Sequence, residues 1–392
     1  MHSIRFLFSV FVFVVFAALA RPPFALAQAV SETTISGRVV GQSDDPIAGV
    51  TVFLHNTTRG GVTDDEGRFT IEAPAGGYGR LVFAHVSFET LDRKLYIPAQ
   101  GVDVGEVRLR ARVLPLGEIV IEALGERTRR RYVRQFIDDV VGTSVIARKA
   151  RLENPEALRF TEGKHGAVRA EATRPLVIFN PLTGYRIRIY LGGYVRSRSG
   201  YYLHRWISFE SAPSGHQRRR HREKYRALAY AGSLQHFIDA WRRGTLRQEG
   251  FHVRQGSGRR SLPALRWDEA GWYVAQLGGS LLVDYFNRPD PHFEDYLDRT
   301  YPTGPIYEYP RNLQRSRISF PEGRLRLSRH GLLLGKVERE GYWAFLSLGD
   351  AVPPLGHSEE RREGVGRRRP SSTRASPSTE KEHGFLSNSS ER

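Results

Sequence analysis

The sequence contains no cysteine among its 392 residues. This absence excludes disulfide bonds, a thiol nucleophile, a cysteine-ligated zinc site and the lipid-bearing cysteine of a bacterial lipoprotein. A chain that is exported without disulfides fits a bacterial periplasm or cell surface better than a eukaryotic secretory route. The length allows two domains of ordinary size, each able to bury its own core.

Long apolar runs are also scarce, and the pronounced one lies near the N-terminus. An apolar stretch over 6–20 is followed by the breaker Arg21-Pro22-Pro23 and by Ala25-Leu26-Ala27. This order predicts a signal peptide over residues 1–27, cleaved after Ala27, with cleavage after Ala18-Leu19-Ala20 as the alternative. A membrane anchor is the other interpretation, but the stretch is shorter than the roughly 20 residues that span a bilayer. We therefore expect no transmembrane segment after signal cleavage.

Lysine is rare, since only six of the 59 basic residues are lysine and the rest are arginine. The formal net charge of +17 would suit nucleic acid, because basic side chains neutralise phosphates. The arginines are scattered along the chain, however, whereas a nucleic-acid footprint clusters on one face. Together with export, this predicts no nucleic-acid partner. Anionic envelope polysaccharide or lipid head groups fit the charge better.

Short period-two runs separated by turns predict an antiparallel β-sandwich over residues 34–122. At its centre lies the turn Thr63-Asp64-Asp65-Glu66-Gly67-Arg68-Phe69. Asp64 and Asp65 can bond their own backbone, and Gly67 can take a positive φ. The sequence therefore predicts a structural turn. The three carboxylates at 64–66 could instead hold calcium, although the loop lacks the spaced ligands of a dedicated calcium loop.

Four segments of this sandwich resemble the carboxypeptidase regulatory-like domain: Ile35-Ser36-Gly37-Arg38-Val39, Pro46 to Val52, Thr63 to Phe69, and Phe83 to Thr90. The resemblance implies a prealbumin-like sandwich of seven strands. Such domains stand beside metallocarboxypeptidase catalytic domains and at the start of many outer-membrane receptors. One departure is Ser87 before Phe88, where the family commonly has glycine, and it implies a locally different bend.

The next region, residues 126–355, alternates helical and strand patterns and predicts a mixed α+β domain that begins near Leu124-Gly125. Apolar residues at 132, 133, 136, 137 and 140 share one face of a helix that Gly142 ends. Ser233 predicts the N-cap of a second amphipathic helix, which Gly244 ends. Beyond His357 almost no apolar residue remains, so we predict a disordered basic tail over 357–392.

Blocks of this second region resemble recurrent blocks in exported carboxypeptidase-like regulatory domain proteins of Gram-negative bacteria. These blocks are Asn154 to Phe160, Gly184 to Ile187, Ala231 to Phe237, Glu249 to Phe251 and Gly341 to Trp343. The resemblance implies no activity. It implies location in the periplasm or at the cell surface.

The sequence lacks a complete zinc carboxypeptidase motif and a complete serine hydrolase motif. A zinc carboxypeptidase needs His and Glu three residues apart and a distant second His, and this spacing occurs only at His357 and Glu360 in the predicted tail. His236 and Asp239 have usable spacing, but the helix that carries them has the pattern of core. No Gly-x-Ser-x-Gly motif is present, which is against a serine hydrolase of that class. We predict no metal ligand, no cofactor and no catalytic residue.

Two groups of residues are predicted to bind a ligand. Tyr201, Tyr202 and Trp206 could stack on sugar or peptide as exposed aromatics, and the alternative is that they belong to a strand core. Arg218, Arg219 and Arg220 belong to a basic run that could attract anionic groups, and the alternative is the solvated face of a helix.

These observations predict a non-enzymatic, exported binding or structural module at the bacterial cell envelope. Its partner would be an envelope polysaccharide or an outer-membrane protein. The alternative is a hydrolase, related to carboxypeptidases or acting as a glycosidase, with carboxylates in the second domain.

Overall fold

A computed structural model of the protein describes residues 31–112, 125–255, 262–269, 271–277, 279–286, 313–329, 333–335 and 337–354. The chain divides into two units, residues 1–355 and 356–392, and every described residue belongs to the first. The predicted signal peptide and the predicted tail lie outside the described residues. Among the helices that are described, none is long and apolar enough to cross a bilayer.

The N-terminal region forms a sandwich of two sheets. One sheet has the strand order β4-β1-β7 and the other has the order β3-β2-β5-β6. Neighbouring strands are antiparallel except for β1 and β7, which pair in parallel. The strands are β1 Glu32–Val40, β2 Thr51–Leu54, β3 Gly60–Val62, β4 Arg68–Pro74, β5 Gly77–Ala84, β6 Leu91–Ile97 and β7 Val102–Arg108.

Period-two sequence explains the sandwich core. Along β4, Phe69 and Ile71 are buried, whereas the residues beside them are exposed. They pack against Ile35 of β1 and Phe83 of β5 in one apolar cluster. Each such side chain contributes about 1.5–3 kcal/mol by leaving water, so alternation fixes which face of each strand points inward.

The turn before β4 carries its own hydrogen bonds. Asp64 accepts through a carboxylate oxygen from the Arg68 N–H at 2.7 Å, and its carbonyl accepts from the Gly67 N–H at 2.9 Å. Buried Thr63 donates to the Ile47 carbonyl at 2.8 Å. Asp65 is exposed at the tip. The structure therefore places these residues in a hydrogen-bonded turn that joins β3 to β4.

The second region begins with a helix that packs on a six-stranded sheet. Helix α1 spans Glu126–Val140 and buries Tyr132, Phe136 and Val140, which confirms the predicted helical face. The sheet has the order β8-β11-β12-β10-β9, and β13 pairs with β12. Its strands are β8 Arg151–Leu152, β9 Leu158–Glu162, β10 Val168–Ala172, β11 Leu176–Asn180, β12 Tyr185–Ser197 and β13 Gly200–Ser211.

Two further sheets and two of the three remaining helices, the second and the third, form a separate apolar core. The sheets have the orders β14-β17-β18-β21 and β15-β16-β19-β20. The helices are α2 His216–Tyr230, α3 Leu234–Arg243 and α4 Tyr342–Phe345. The strands are β14 Phe251–Gln255, β15 Arg266–Trp267, β16 Tyr273–Gln276, β17 Leu281–Phe286, β18 Leu313–Ser319, β19 Arg324–Leu327, β20 Leu333–Leu334 and β21 Glu338–Gly341.

The caps of α3 agree with the sequence prediction. The Ser233 side chain accepts from the His236 N–H, and Gly244 ends the helix with φ of +73°. Strand-rich sheets and these few helices confirm the predicted fold class. The boundary near Gly125 stays a prediction, because residues 113–124 lie outside the described part of the chain.

The basic run on α2 is only partly a solvated face. Arg222 and Arg226 are buried, and they donate to the carbonyls of Ala212 at 2.7 Å and Thr183 at 2.6 Å. The Arg226 guanidinium also lies 4.0 Å from the Tyr185 ring centroid. Helical spacing turned these two arginines inward, so they anchor α2 to the six-stranded sheet.

A backbone segment of the sandwich covers the free edge of β13. The N–H of Asn56 donates to the Ile207 carbonyl at 2.8 Å, and the N–H of Phe209 donates to the Thr57 carbonyl at 2.9 Å. The N–H of Ile207 donates to His55 Nδ1 at 3.1 Å. An exposed strand edge is prone to pair with other chains. The segment 55–57 therefore joins the sandwich to the six-stranded sheet and protects its edge.

We predict that Gly67→Val lowers the free energy of unfolding. Gly67 has φ of +74°, and a Cβ atom there would lie 2.4 Å from the Val39 carbonyl oxygen. Positive φ alone costs a non-glycine residue about 1–3 kcal/mol. Gly49→Val is the matched control, since Gly49 has φ of +73° but no described atom within 4 Å of its Cβ position. Urea denaturation should show a larger loss for Gly67→Val, and an unchanged midpoint for that variant would contradict the prediction.

Candidate functional site

Strand β13 separates two concave surfaces of the protein. Successive side chains of a strand point to opposite faces. Tyr201, Arg205 and Ile207 line a cavity of about 590 Å³, which we name the arginine cavity. His204 and Trp206 line a second space of about 700 Å³ between the sandwich and the six-stranded sheet, which we name the junction cleft.

The walls of the arginine cavity come from elements that are distant in sequence. The C-terminal turn of α1 contributes Asp139, β21 contributes Arg339, and the segment 55–57 contributes Asn56. The first turn of α3, the end of α2, helix α4 and the segment 346–352 also contribute lining residues. The cavity therefore forms only when the sandwich, the six-stranded sheet and the second core are all folded.

Arg205 and Arg339 are the notable residues of this cavity. Arg205 Nε is buried and has no hydrogen-bond partner within the described part of the chain. Burial, together with the charge of nearby Arg339, lowers the pKa of Arg205 to about 10. Surrounding protein atoms also lower the pKa of Arg339, although that side chain keeps much of its exposure to solvent. Two cations thus share one cavity, and the charge of Arg339 disfavours the charged form of Arg205.

The first turn of α3 adds positive potential to the same cavity. Ser233, Leu234 and Gln235 lie at the wall. The N–H groups of a first helical turn have no acceptor within their own helix, and the helix dipole places partial positive charge there. Both features favour an anion in the cavity.

Two carboxylates also line the cavity, and both are bound to other groups. Asp139 accepts from the Tyr194 hydroxyl at 2.6 Å and forms an ion pair with Arg196. Asp350 accepts from the Ser144 hydroxyl and from the Ser347 N–H. Neither carboxylate is among the groups whose charge shifts the pKa of Arg205.

The predicted binding residue Tyr201 lies in the arginine cavity. Its side chain is 46% exposed, and its hydroxyl donates to the Asp139 carbonyl at 2.7 Å. The ring is therefore fixed in orientation but open to solvent. Tyr202 is 63% exposed and follows on the opposite face of β13. The structure thus separates two residues that the sequence grouped together.

For Trp206 the structure supports the alternative interpretation, a strand core, rather than an exposed aromatic. Its side chain is 7% exposed, and its Nε1 donates to an Asp92 carboxylate oxygen at 3.1 Å. It joins a small apolar cluster with Phe53 and Tyr190, whose rings stack at 4.7 Å. Because the sandwich covers this face of β13, Trp206 fastens the two regions together.

The three predicted arginines lie on α2, apart from both concave surfaces. Arg218 and Arg220 are exposed, and Arg219 is half-buried. Arg219 lies 3.6 Å from Glu223 in an i,i+4 pair. These positions agree with a solvated helix face, and their role in binding stays a prediction.

Arg205 and Arg339 were missed by the sequence analysis. A local signal existed for Arg205, since it occupies the face of β13 that otherwise carries Tyr201, Leu203 and Ile207. A charge on a predominantly apolar strand face requires a partner or a ligand. Arg339 had no such signal, because only the tertiary fold brings β21 to the cavity.

His236 and Asp239 do not form a shared site. His236 Nδ1 accepts from the Gly232 N–H at 3.0 Å, and its Nε2 lies 2.9 Å from a Glu249 carboxylate oxygen. Asp239 accepts from the Tyr230 hydroxyl at 3.0 Å. Within the described ranges, no three His, Asp or Glu side chains are placed to hold a metal ion.

Comparison with known proteins identifies the N-terminal region. Residues 35–121 match the family model of the CarboxypepD_reg-like domain, which confirms the predicted resemblance for the sandwich. The TonB-dependent receptor P39 of Formosa agariphila is 29% identical over 99 residues. That match covers 25% of this chain and 9% of the receptor. The chain therefore spans far less than two thirds of this relative.

Solved structures match with TM-scores too low to support an argument about fold or function. A type II cohesin–X-dockerin complex from Acetivibrio cellulolyticus is 22% identical, covering 29% of this chain and 76% of that chain, at a TM-score of 0.19. The major pilin subunit BcpA of Bacillus cereus is 9% identical, covering 41% and 42%, at a TM-score of 0.18.

We predict that His55 makes the stability of the protein depend on pH. Burial, and then the charges of Arg80 and Arg205, lower the pKa of His55 to about 3. Unfolded His55 takes up a proton near the ordinary histidine pKa of 6.5, whereas folded His55 does not until the pH approaches 3. The free energy of unfolding should therefore fall as the pH falls across this window.

The variant His55→Asn retains an acceptor for the Ile207 N–H but cannot be protonated. Urea denaturation at pH 7.5 and pH 5 should show a smaller loss of stability for this variant than for the wild type. His216→Gln, at an exposed position on α2, serves as control. An identical loss in wild type and His55→Asn would contradict the prediction.

Proposed function

We propose that the protein is a non-enzymatic binding module of the bacterial cell envelope, and that the arginine cavity takes an anionic group of a polysaccharide. The observation that carries this proposal is the pairing of Arg205 with Arg339. Arg205 Nε lacks an acceptor among the described residues. Cations that are close together and partly desolvated are costly unless an anion joins them. An acidic ligand would supply both the missing acceptor and the missing charge.

The form of the cavity supports a sugar as the carrier of that anion. Its volume of about 590 Å³ lies within the range of small-ligand sites. Tyr201 presents a partly exposed ring whose hydroxyl is already held by the Asp139 carbonyl. Fixed aromatic rings provide apolar contact area at low entropic cost.

The envelope location rests on two supports. The N-terminal pattern predicts a signal peptide over residues 1–27, and the matched relative is a TonB-dependent receptor. We propose export to the periplasm or the cell surface of a Gram-negative bacterium. An outer-membrane protein as an additional partner stays a prediction.

A hydrolase would need free carboxylates at the ligand. Asp139 and Asp350 line the arginine cavity and are the carboxylates to test. Asp139 is paired with Arg196. Asp350 is buried and holds the Ser347 N–H in a capping box. These bonds favour a structural role for both residues, so binding is the better-supported function.

Calorimetric titration with two hexasaccharides of equal length tests the proposal. We expect an acidic hexasaccharide of galacturonate to bind, and a neutral hexasaccharide of galactose to bind at least about tenfold more weakly, a difference of about 1.4 kcal/mol. Raising the salt concentration should weaken the binding of the acidic hexasaccharide, because salt screens charge. Arg205→Gln should abolish the preference for the acidic ligand.

The matched control replaces Arg218, Arg219 and Arg220, which lie on α2 away from the cavity, by glutamine together. This triple variant removes more charge than Arg205→Gln but leaves the cavity intact, so its affinity should stay near that of the wild type. Equal binding of both hexasaccharides, or full affinity in Arg205→Gln, would refute the proposed site. Release of shorter sugars during incubation would show that the protein is a hydrolase.

A further inference from the structure

We propose that the arginine cavity is specific for a phosphomonoester, so that the anionic group of the ligand is a sugar phosphate rather than a carboxylate. This inference rests on the proposed function and narrows its ligand class. It is carried by the number of positive groups that meet in the cavity and by the directions from which they come.

The first argument concerns charge. Burial and the charge of Arg339 disfavour the charged form of Arg205. The neighbouring Tyr201 does not supply a negative charge, because its hydroxyl is a neutral donor to the Asp139 carbonyl at 2.7 Å. A single carboxylate supplies one negative charge for two guanidinium groups. A phosphomonoester carries about −1.5 to −2 at pH 7 and therefore offsets both.

The second argument concerns direction. Arg205 reaches the cavity from β13, Arg339 reaches it from β21, and the first turn of α3 lines it from a third element. The two oxygens of a carboxylate lie in one plane with their carbon. A phosphomonoester offers three acceptor oxygens, which suit donors on three separate elements.

The third argument concerns the carboxylates nearby. Asp139 and Asp350 would repel an anion if they were free. Asp139 is neutralised by Arg196, and the Asp350 side chain is bound by hydroxyl and amide donors. Both carboxylates are thus held by groups other than Arg205 and Arg339.

Calorimetric titration of the full-length protein with three small probes tests this inference. The probes are galactose 1-phosphate, inorganic phosphate and galacturonate. We expect galactose 1-phosphate to bind at least about tenfold more tightly than galacturonate at pH 7.5, which corresponds to about 1.4 kcal/mol. Lowering the pH to 5.5 should weaken the binding of galactose 1-phosphate, because its second pKa is about 6 and protonation removes negative charge. Galacturonate stays ionised across this range, so its affinity should not follow the same change.

Arg339→Gln is the informative variant, because this residue is exposed and its replacement should leave the fold intact. We expect it to reduce the preference for phosphate over carboxylate to near unity while some binding of both remains. Arg205→Lys keeps the positive charge but removes the Nε donor of the guanidinium group, and it should weaken the binding of galactose 1-phosphate. An unchanged melting temperature in each variant shows that the protein remains folded.

The outcomes separate this inference from the proposed function. Galacturonate binding as tightly as galactose 1-phosphate would overturn the inference and leave the acidic-glycan proposal standing. No binding of any probe to the folded protein would overturn the phosphate site, and failure of the acidic hexasaccharide as well would overturn both. Equal affinity for inorganic phosphate and galactose 1-phosphate would support phosphate chemistry with the free ion as the source. Tighter binding of the sugar phosphate would support a phosphorylated glycan.

Discussion

Strand β13 forms backbone hydrogen bonds along both edges, and the arrangement of the two concave surfaces depends on this constraint. One edge pairs with β12, and the other bonds to the segment 55–57 of the sandwich. Because side chains alternate along a strand, a shift of one residue would exchange the two faces. The bonds to Ile207 and Phe209 therefore determine that Arg205 faces the arginine cavity and that Trp206 faces the sandwich.

Local patterns were sufficient for much of the fold. The period-two runs of the sandwich, the apolar face of α1 and the caps of α3 can each be predicted from the order of residues within one element. Burial of Arg222 and Arg226 could not be predicted in this way, since it depends on carbonyl groups that other elements bring to α2. The sequence of a basic run is the same whether its arginines are solvated or donate to a buried acceptor.

The candidate site was less accessible to sequence analysis. Tyr201 was predicted correctly as an exposed aromatic, but Trp206 was not, because sequence does not show that the sandwich covers its face of β13. Arg205 and Arg339 lie on strands of two different sheets. No spacing rule connects such residues. A charged residue on an apolar strand face, as at position 205, is the signal that could have pointed to the cavity.

The bonds made by segment 55–57 also bear on how the protein folds. The sandwich is synthesised first, and its strands and its main apolar cluster lie within residues 32–109, so it can fold before β13 exists. Domains that emerge early can fold as units during synthesis. The sandwich then offers carbonyl and amide groups of residues 56 and 57 as a preformed template for one edge of β13. The regulatory-like domain would in this sense act as an intramolecular chaperone for the sheet that follows it.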